Sequence, residues 1–312
     1  MTLDNTPNQS PLGAFYSSPL GARTSESSLL TAAWYGAAYG NSTYVIVGYS
    51  IDGGIVATSP DGITWTRQTC SEGWWKSVAY GNGLFVAVCA NGELVGGRKY
   101  NVMTSSDGVT WTNYDTPQIV WNSIVWNGSK FVAVGTDAAM VSTNGSTWTD
   151  YATIDTVGRW QDVCWSGSQF MAIGHYGSYF APRGMTSPDG ITWTARGATN
   201  NSIDYGNSIF VAAGTFGGCA FWTSSSPNGI DWTNETTSSY DYNAVTFGNN
   251  KFVVLGLDGI ARTSSNGTSW TETACPSGSW ADVHFVGSLF IGVGSDLLMT
   301  ASDGLSWTER VA

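Results

Sequence analysis

A five-residue motif, Asp/Asn-Gly-x-Thr/Ser/Asp-Trp, occurs seven times along the 312-residue chain and constrains its fold more than any other feature. Its turn pairs are Asp61-Gly62, Asp107-Gly108, Asn144-Gly145, Asp189-Gly190, Asn228-Gly229, Asn266-Gly267 and Asp303-Gly304. The closing tryptophans, from Trp65 to Trp307, stand 46, 37, 45, 39, 38 and 37 residues apart. Before each turn comes an aromatic followed by small and β-branched residues, as in Phe131-Val132-Ala133-Val134-Gly135. Earlier still lies a Trp-x-x-Val-x-aromatic segment, as in Trp75 to Tyr80, Trp121 to Trp126 and Trp280 to Phe285. Strand alternation puts Trp75, Ser77 and Ala79 on one face of this segment and Lys76, Val78 and Tyr80 on the other.

Each unit reads as four short strands. The Asp-Gly and Asn-Gly pairs suit a tight hairpin between strands three and four, whose central residues take positive φ. Four-stranded units of about 40 residues, repeated seven times, predict an all-β fold, a seven-bladed β-propeller of four-stranded antiparallel blades. A β-solenoid is the alternative, though its coils are shorter. The propeller spans residues 31–312. Residues 1–30 are rich in Ser, Pro and Gly and read as an extended N-terminal arm or anchor, with Leu12, Phe15, Tyr16 and Leu20 able to order against a partner. The last unit ends on its own fourth strand. Ring closure is left to packing between the first and last blades, or to a strand from the arm.

Composition removes several functions. Charged residues make up 11% of the chain, against about 25% in an ordinary domain. The net charge is −11 without any Lys/Arg cluster, so nucleic acid and anionic lipid are poor partners. No apolar run is long enough for a spanning helix, and the first residues lack the pattern of a secretory signal. The five cysteines form no Cys-x-x-Cys pair, so zinc and redox sites have no support. The two histidines, His175 and His284, are too few for most metal centres. No metal, cofactor or catalytic residue is expected. No phosphate-cradling loop or framed nucleophilic serine occurs.

The segment Ser59-Pro60-Asp61-Gly62-Ile63-Thr64-Trp65 resembles the Asp box of sialidases, S-x-D-x-G-x-T-W, shortened by one residue. The resemblance implies that Asp61, Asp107, Asn144, Asp189, Asn228, Asn266 and Asp303 are structural turn residues. The succession "VAYGNGLFVAV" then "TSSDGVTWT" is similar to propeller repeats of phage tail and other virion proteins, and "SPLGAFYSSPLGA" resembles segments that begin phage structural proteins. Photosystem II assembly-factor propellers are a third relative, differing by a D-G-G turn and a lumenal signal.

The phage resemblance implies a virion protein of the tail or tail fibre, made in the host cytoplasm without a signal peptide. Its arm would contact other virion proteins and its loop-rich face a host-surface glycan or receptor. On that face the strand two–three loops read as long in blades one, two, four and five. Rigidly held loops are where function usually resides, and they place Tyr49, Asp52, Arg98, Tyr100, Tyr176, Tyr179, Arg183 and Trp222 as ligand-binding candidates. Their aromatics can stack on sugar rings while Arg and Asp bond hydroxyls. Two other functions compete. One is a purely structural or decorating virion protein. The other is a sialidase-type hydrolase using Arg98, Arg159 and Arg183, although the family's F/Y-R-I-P motif is absent.

Overall fold

The computed structural model describes residues 32–310, apart from 96–97, 118, 155–157, 177–180, 198–199, 217–219, 239–241 and 257–258. The arm assigned to residues 1–30 lies outside the described residues. Seven antiparallel sheets of four strands follow one another, each in simple chain order. Blade 1 covers Ala32–Gln68, blade 2 Gly73–Asp115, blade 3 Trp121–Ala152 and blade 4 Gly158–Arg196. Blade 5 covers Ser202–Ser238, blade 6 Tyr242–Ala274 and blade 7 Trp280–Glu309. The chain folds as a seven-bladed β-propeller, with the first strands of all blades lining a central channel.

The composition of the second strands follows from their position. In Phe85 to Cys89, Phe85, Ala87 and Cys89 face the packing layer between blades 1 and 2, while Val86 and Val88 face the layer between blades 2 and 3. A strand buried on both faces reads as an uninterrupted apolar run, and all five side chains have no exposed surface. Such a layer lies at each of the seven blade junctions. Its largest members are first-strand residues Trp34, Trp75, Trp121, Trp160, Tyr242 and Trp280. Several anchor the loop that delivers them, since the indole N–H of Trp75 donates to the carbonyl of Ser71 at 3.0 Å and that of Trp280 to Pro276 at 2.9 Å. Blade 5 substitutes Asn200, whose amide donates to the carbonyl of Ala212 at 2.8 Å.

The Asp/Asn-Gly turns differ from the sequence expectation. Only the glycine takes positive φ, as at Gly62 (73°) and Gly108 (77°). Asp107 serves through its carboxylate: one oxygen accepts the backbone N–H groups of Val109 and Thr110, both at 2.8 Å, and the Ser105 hydroxyl at 2.8 Å. Ser105 in turn accepts the N–H of Gly108 at 2.8 Å. The pair is selected because a short side-chain oxygen satisfies the turn's donors. The turns with positive φ at both central residues connect strands one and two instead, at Asn41-Ser42, Asn82-Gly83, Asn207-Ser208 and Asn249-Asn250. The motif tryptophans sit in the turn just before the fourth strand. Trp65 and Trp193 are buried, whereas Trp148 is half-buried.

Closure uses no shared strand among the described residues. Blade 7 meets blade 1 through Ile291, Val293 and Leu298 packed on Trp34, Ile46 and Ile55. The N–H of Asp296 donates to the carbonyl of Ala32 at 2.8 Å. The same bond joins blades 3 and 4, from Asp137 to Gly158 at 2.8 Å.

Candidate functional site at the channel mouth

One irregularity recurs in the first strands. Pairing with the second strand skips a residue between Trp34 and Gly36, Trp75 and Ser77, Trp160 and Asp162, Tyr242 and Ala244, and Trp280 and Asp282. Blade 3 skips Asn122 in the same way. A β-bulge leaves its extra residue out of the ladder and re-aims the side chain. Here the skipped residues are Tyr35, Lys76, Asn122, Gln161, Asn243 and Ala281. Together with Asn201 of blade 5 they line a cavity of about 500 Å³.

The bulge also corrects the expected face assignment. It shifts the phase of alternation so that Trp75 and Val78 both enter the packing layer between blades 1 and 2. It explains the glycine that ends most second strands as well. At Gly135 a Cβ would collide with the carbonyl of Val120, and at Gly48 with that of Ala33.

Below the bulge ring lies a set of carboxylates that tie blades together. Asp162 of blade 4 accepts from Ser123 Oγ of blade 3 at 2.8 Å and from the N–H of Ile203 of blade 5 at 2.9 Å. It also accepts from the N–H of Val163 at 2.8 Å and Ser202 Oγ at 3.2 Å. Burial, then the charge of Asp282, push Asp162 up to about 7, against the pull of the bonds from Ile203, Ser123 and Val163. Asp204 accepts the N–H of Phe247 in blade 6 at 2.7 Å, and burial raises it to about 6. Asp282 is also raised by burial, although the nearby His284 opposes the shift. His284 Nε2 lies 3.0 Å from the carbonyl oxygen of Tyr35 and 3.5 Å from Asp282 Oδ2, spanning the seam between blades 7 and 1.

Lys76 Nζ stands 3.7 Å from the centroid of the Tyr35 ring. Burial lowers the Lys76 ammonium below its ordinary range and raises the Tyr35 phenol. No carboxylate among the described residues lies within ion-pair distance of Lys76. Two residues earlier in the same strand, Trp74 is 45% exposed and its ring lies 5.2 Å from that of Tyr49, tilted by 57°. Ile51, 87% exposed, and the exposed Asp52 form the turn that follows the strand of Tyr49. The result is an aromatic step at the rim beside a polar channel whose lining, among the described residues, includes one Lys or Arg side chain, Lys76.

The candidates drawn from sequence fall as follows. Tyr49 belongs to the second strand of blade 1, and Ile51 and Asp52 alone connect it to the third, so the expected long loop of blade 1 is a two-residue turn. Arg98 and Tyr100 lie in the third strand of blade 2, with Tyr100 paired to Glu93 and Arg98 to Val95. Tyr176, Arg183 and Trp222 are likewise strand residues, paired with Gly158, Gly174 and Gly214. The expected loops of blades 2, 4 and 5 are thus lengthened hairpins, because ladder pairing continues past the point where the repeat pattern stops. Tyr179 lies outside the described residues, as do the side chains of Arg98, Tyr100, Tyr176 and Trp222. Arg159 is exposed and Arg183 half-buried, both in blade 4. Trp74 was not among the candidates because its neighbour Trp75 is the one that keeps the repeat. The doublet Trp74-Trp75 was its available signal.

No protein-family model and no curated protein matches the sequence. Solved structures do. YCF48 bound to a D1 peptide is 14% identical, with 90% of this chain and 94% of that chain covered at a TM-score of 0.64. Virginiamycin B lyase from Staphylococcus aureus is 9% identical, with 85% and 93% covered at 0.66. PorZ of Porphyromonas gingivalis is 10% identical, with 90% and 38% covered at 0.61. The shared property is the propeller. At these identities the likeness extends to the fold alone.

Proposed function

We propose that this protein is a phage virion propeller that binds a host-surface glycan, without cleaving it, on the face carrying the Tyr49–Trp74 step and the extended hairpins of blades 2, 4 and 5. The observation that carries the reading is the exposed Trp74, its ring tilted against that of the half-buried Tyr49, beside a channel mouth lined with amides. Aromatic faces stack on the C–H faces of sugar rings, and amides bond hydroxyls in both directions. The virion role rests on the resemblance of the repeats to phage tail propellers, with the N-terminal arm as the attachment to the particle.

A protein partner on the same face is the competing reading, favoured by one propeller of similar fold being bound to a peptide. The test is to incubate the purified protein with a panel of bacterial surface polysaccharides and to record retained and released sugar together. Retention without release supports the proposal. Release makes the protein a glycoside hydrolase, and failure to retain any polysaccharide removes the glycan reading.

A further inference from the structure

Six blades throw one side chain each out of the sheet ladder and into the channel mouth, and only one of the six is a cation. Tyr35, Asn122, Gln161, Asn243 and Ala281 are neutral at neutral pH, whereas Lys76 carries an ammonium. Its position is unusual in a second respect. Lys76 is half-buried, and its only described partner is the face of the Tyr35 ring. A desolvated cation without a counter-ion is an energetic cost that an incoming anion relieves. The three carboxylates deeper in the channel do not supply that counter-ion: Asp162 and Asp204 are occupied with the N–H groups and hydroxyls of neighbouring blades, and Asp282 accepts the N–H of Val283 and faces His284 at 3.5 Å. The aromatic step Tyr49–Trp74 lies two residues away along the same strand, about 7 Å at the rise of an extended chain.

We propose that Lys76 makes this mouth selective for acidic sugars of the uronic-acid class, the ring stacking at Tyr49–Trp74 while its carboxylate meets the Lys76 ammonium. The inference rests on the glycan reading above and adds the charge of the ligand to it. A ring-borne carboxylate lies one bond from the pyranose ring, so stacking and ion pairing are satisfied by one residue of the polymer. The ammonium then gains a charge-assisted hydrogen bond in surroundings drier than bulk water, where such bonds are strongest.

The experiment uses the full chain in affinity electrophoresis against polygalacturonate and alginate. Each polymer is run beside its own carboxyl-reduced form, which keeps the rings and removes the charge. The expected result is retardation by the acidic polymers with affinity about tenfold higher than for their reduced forms, the value of one charge-assisted bond. The gap should narrow as salt is raised. Lys76→Gln should abolish the preference and Lys76→Arg should restore most of it, which separates loss of the charge from loss of the fold. Equal affinity for acidic and reduced polymers overturns the selectivity and leaves glycan binding standing. A preference that persists in Lys76→Gln overturns the role of Lys76. No retardation by any of the polymers overturns both.

Discussion

The ammonium of Lys76 in blade 2 rests 3.7 Å from the centre of the Tyr35 ring in blade 1. The contact joins two neighbouring blades through the residues that each extrudes at its bulge. It therefore links a local irregularity of the backbone to the electrostatics of the channel. The ring's negative face compensates part of the hydration that Lys76 loses on burial.

Removing that face should be measurable. Tyr35→Leu keeps an apolar side chain of moderate size but loses the quadrupole, and is expected to destabilise the fold by about 0.5–2 kcal/mol. It should also lower the Lys76 pKa further, because desolvation then acts without compensation. Chemical denaturation and an NMR titration of the lysine side chain report the two effects.

Adjacent tryptophans should behave oppositely. Trp75 is fully buried and Trp74 is 45% exposed. Trp75→Ala should cost about 3–5 kcal/mol, the usual loss for a buried aromatic. Trp74→Ala should stay within about 0.5 kcal/mol in urea denaturation, yet abolish retention of polysaccharide.

The seven turns contain their own control. Ser105 is buried and accepts the N–H of Gly108, but blade 7 carries Ala301 at the equivalent position. Ser105→Ala strands a buried donor and should cost about 1–3 kcal/mol. Ala301→Ser should instead add about 0.5–1.5 kcal/mol, a net hydrogen bond gained. Melting of the two variants side by side decides the matter, and a destabilised Ala301→Ser would show that blade 7 solves its turn differently.

Stability should also depend on pH. Burial raises the Asp162 carboxyl to about 7 in the fold and the Asp204 carboxyl to about 6, against an ordinary value of 3.8. A carboxyl whose folded pKa is raised favours the fold when protonated. Its contribution is complete below about 3.8 and is lost as pH rises through 6 to 7. The turn aspartates Asp61 and Asp107 are shifted downward by the N–H groups they accept, and act in the opposite sense under acid conditions. The melting temperature is expected to fall between pH 5 and pH 8, and Asp162→Asn should flatten that fall. An unchanged slope in the variant would place the titrating group elsewhere.

The blade count, the four-strand unit and the strand-two apolar runs were legible in the sequence because each depends on residues that recur at fixed spacing. The channel mouth was not. Tyr35, Lys76, Asn122, Gln161, Asn243 and Ala281 share no chemical type. Their common feature is a skipped pairing partner, which a period-two reading of Trp75 to Tyr80 conceals. The carboxylate ties were equally hidden, since Asp162 bonds Ser123 and Ile203, each about 40 residues away in sequence, one repeat length from it. For the turn residues the sequence identified the right positions but misjudged the cause. Asp61 and its equivalents are there for an acceptor oxygen, and glycine alone meets the backbone requirement.

The bond from Asp296 to Ala32 has the same donor position, acceptor position and length as the bond from Asp137 to Gly158. Only the second of these junctions has a peptide connection running through it. Covalent continuity and mechanical continuity are therefore separate properties of this circle, and a gap in the first leaves the second intact. These two junctions are links of equal grade, so a chain whose ends were joined and then cut between blades 3 and 4 would trace the same circle from a different starting point.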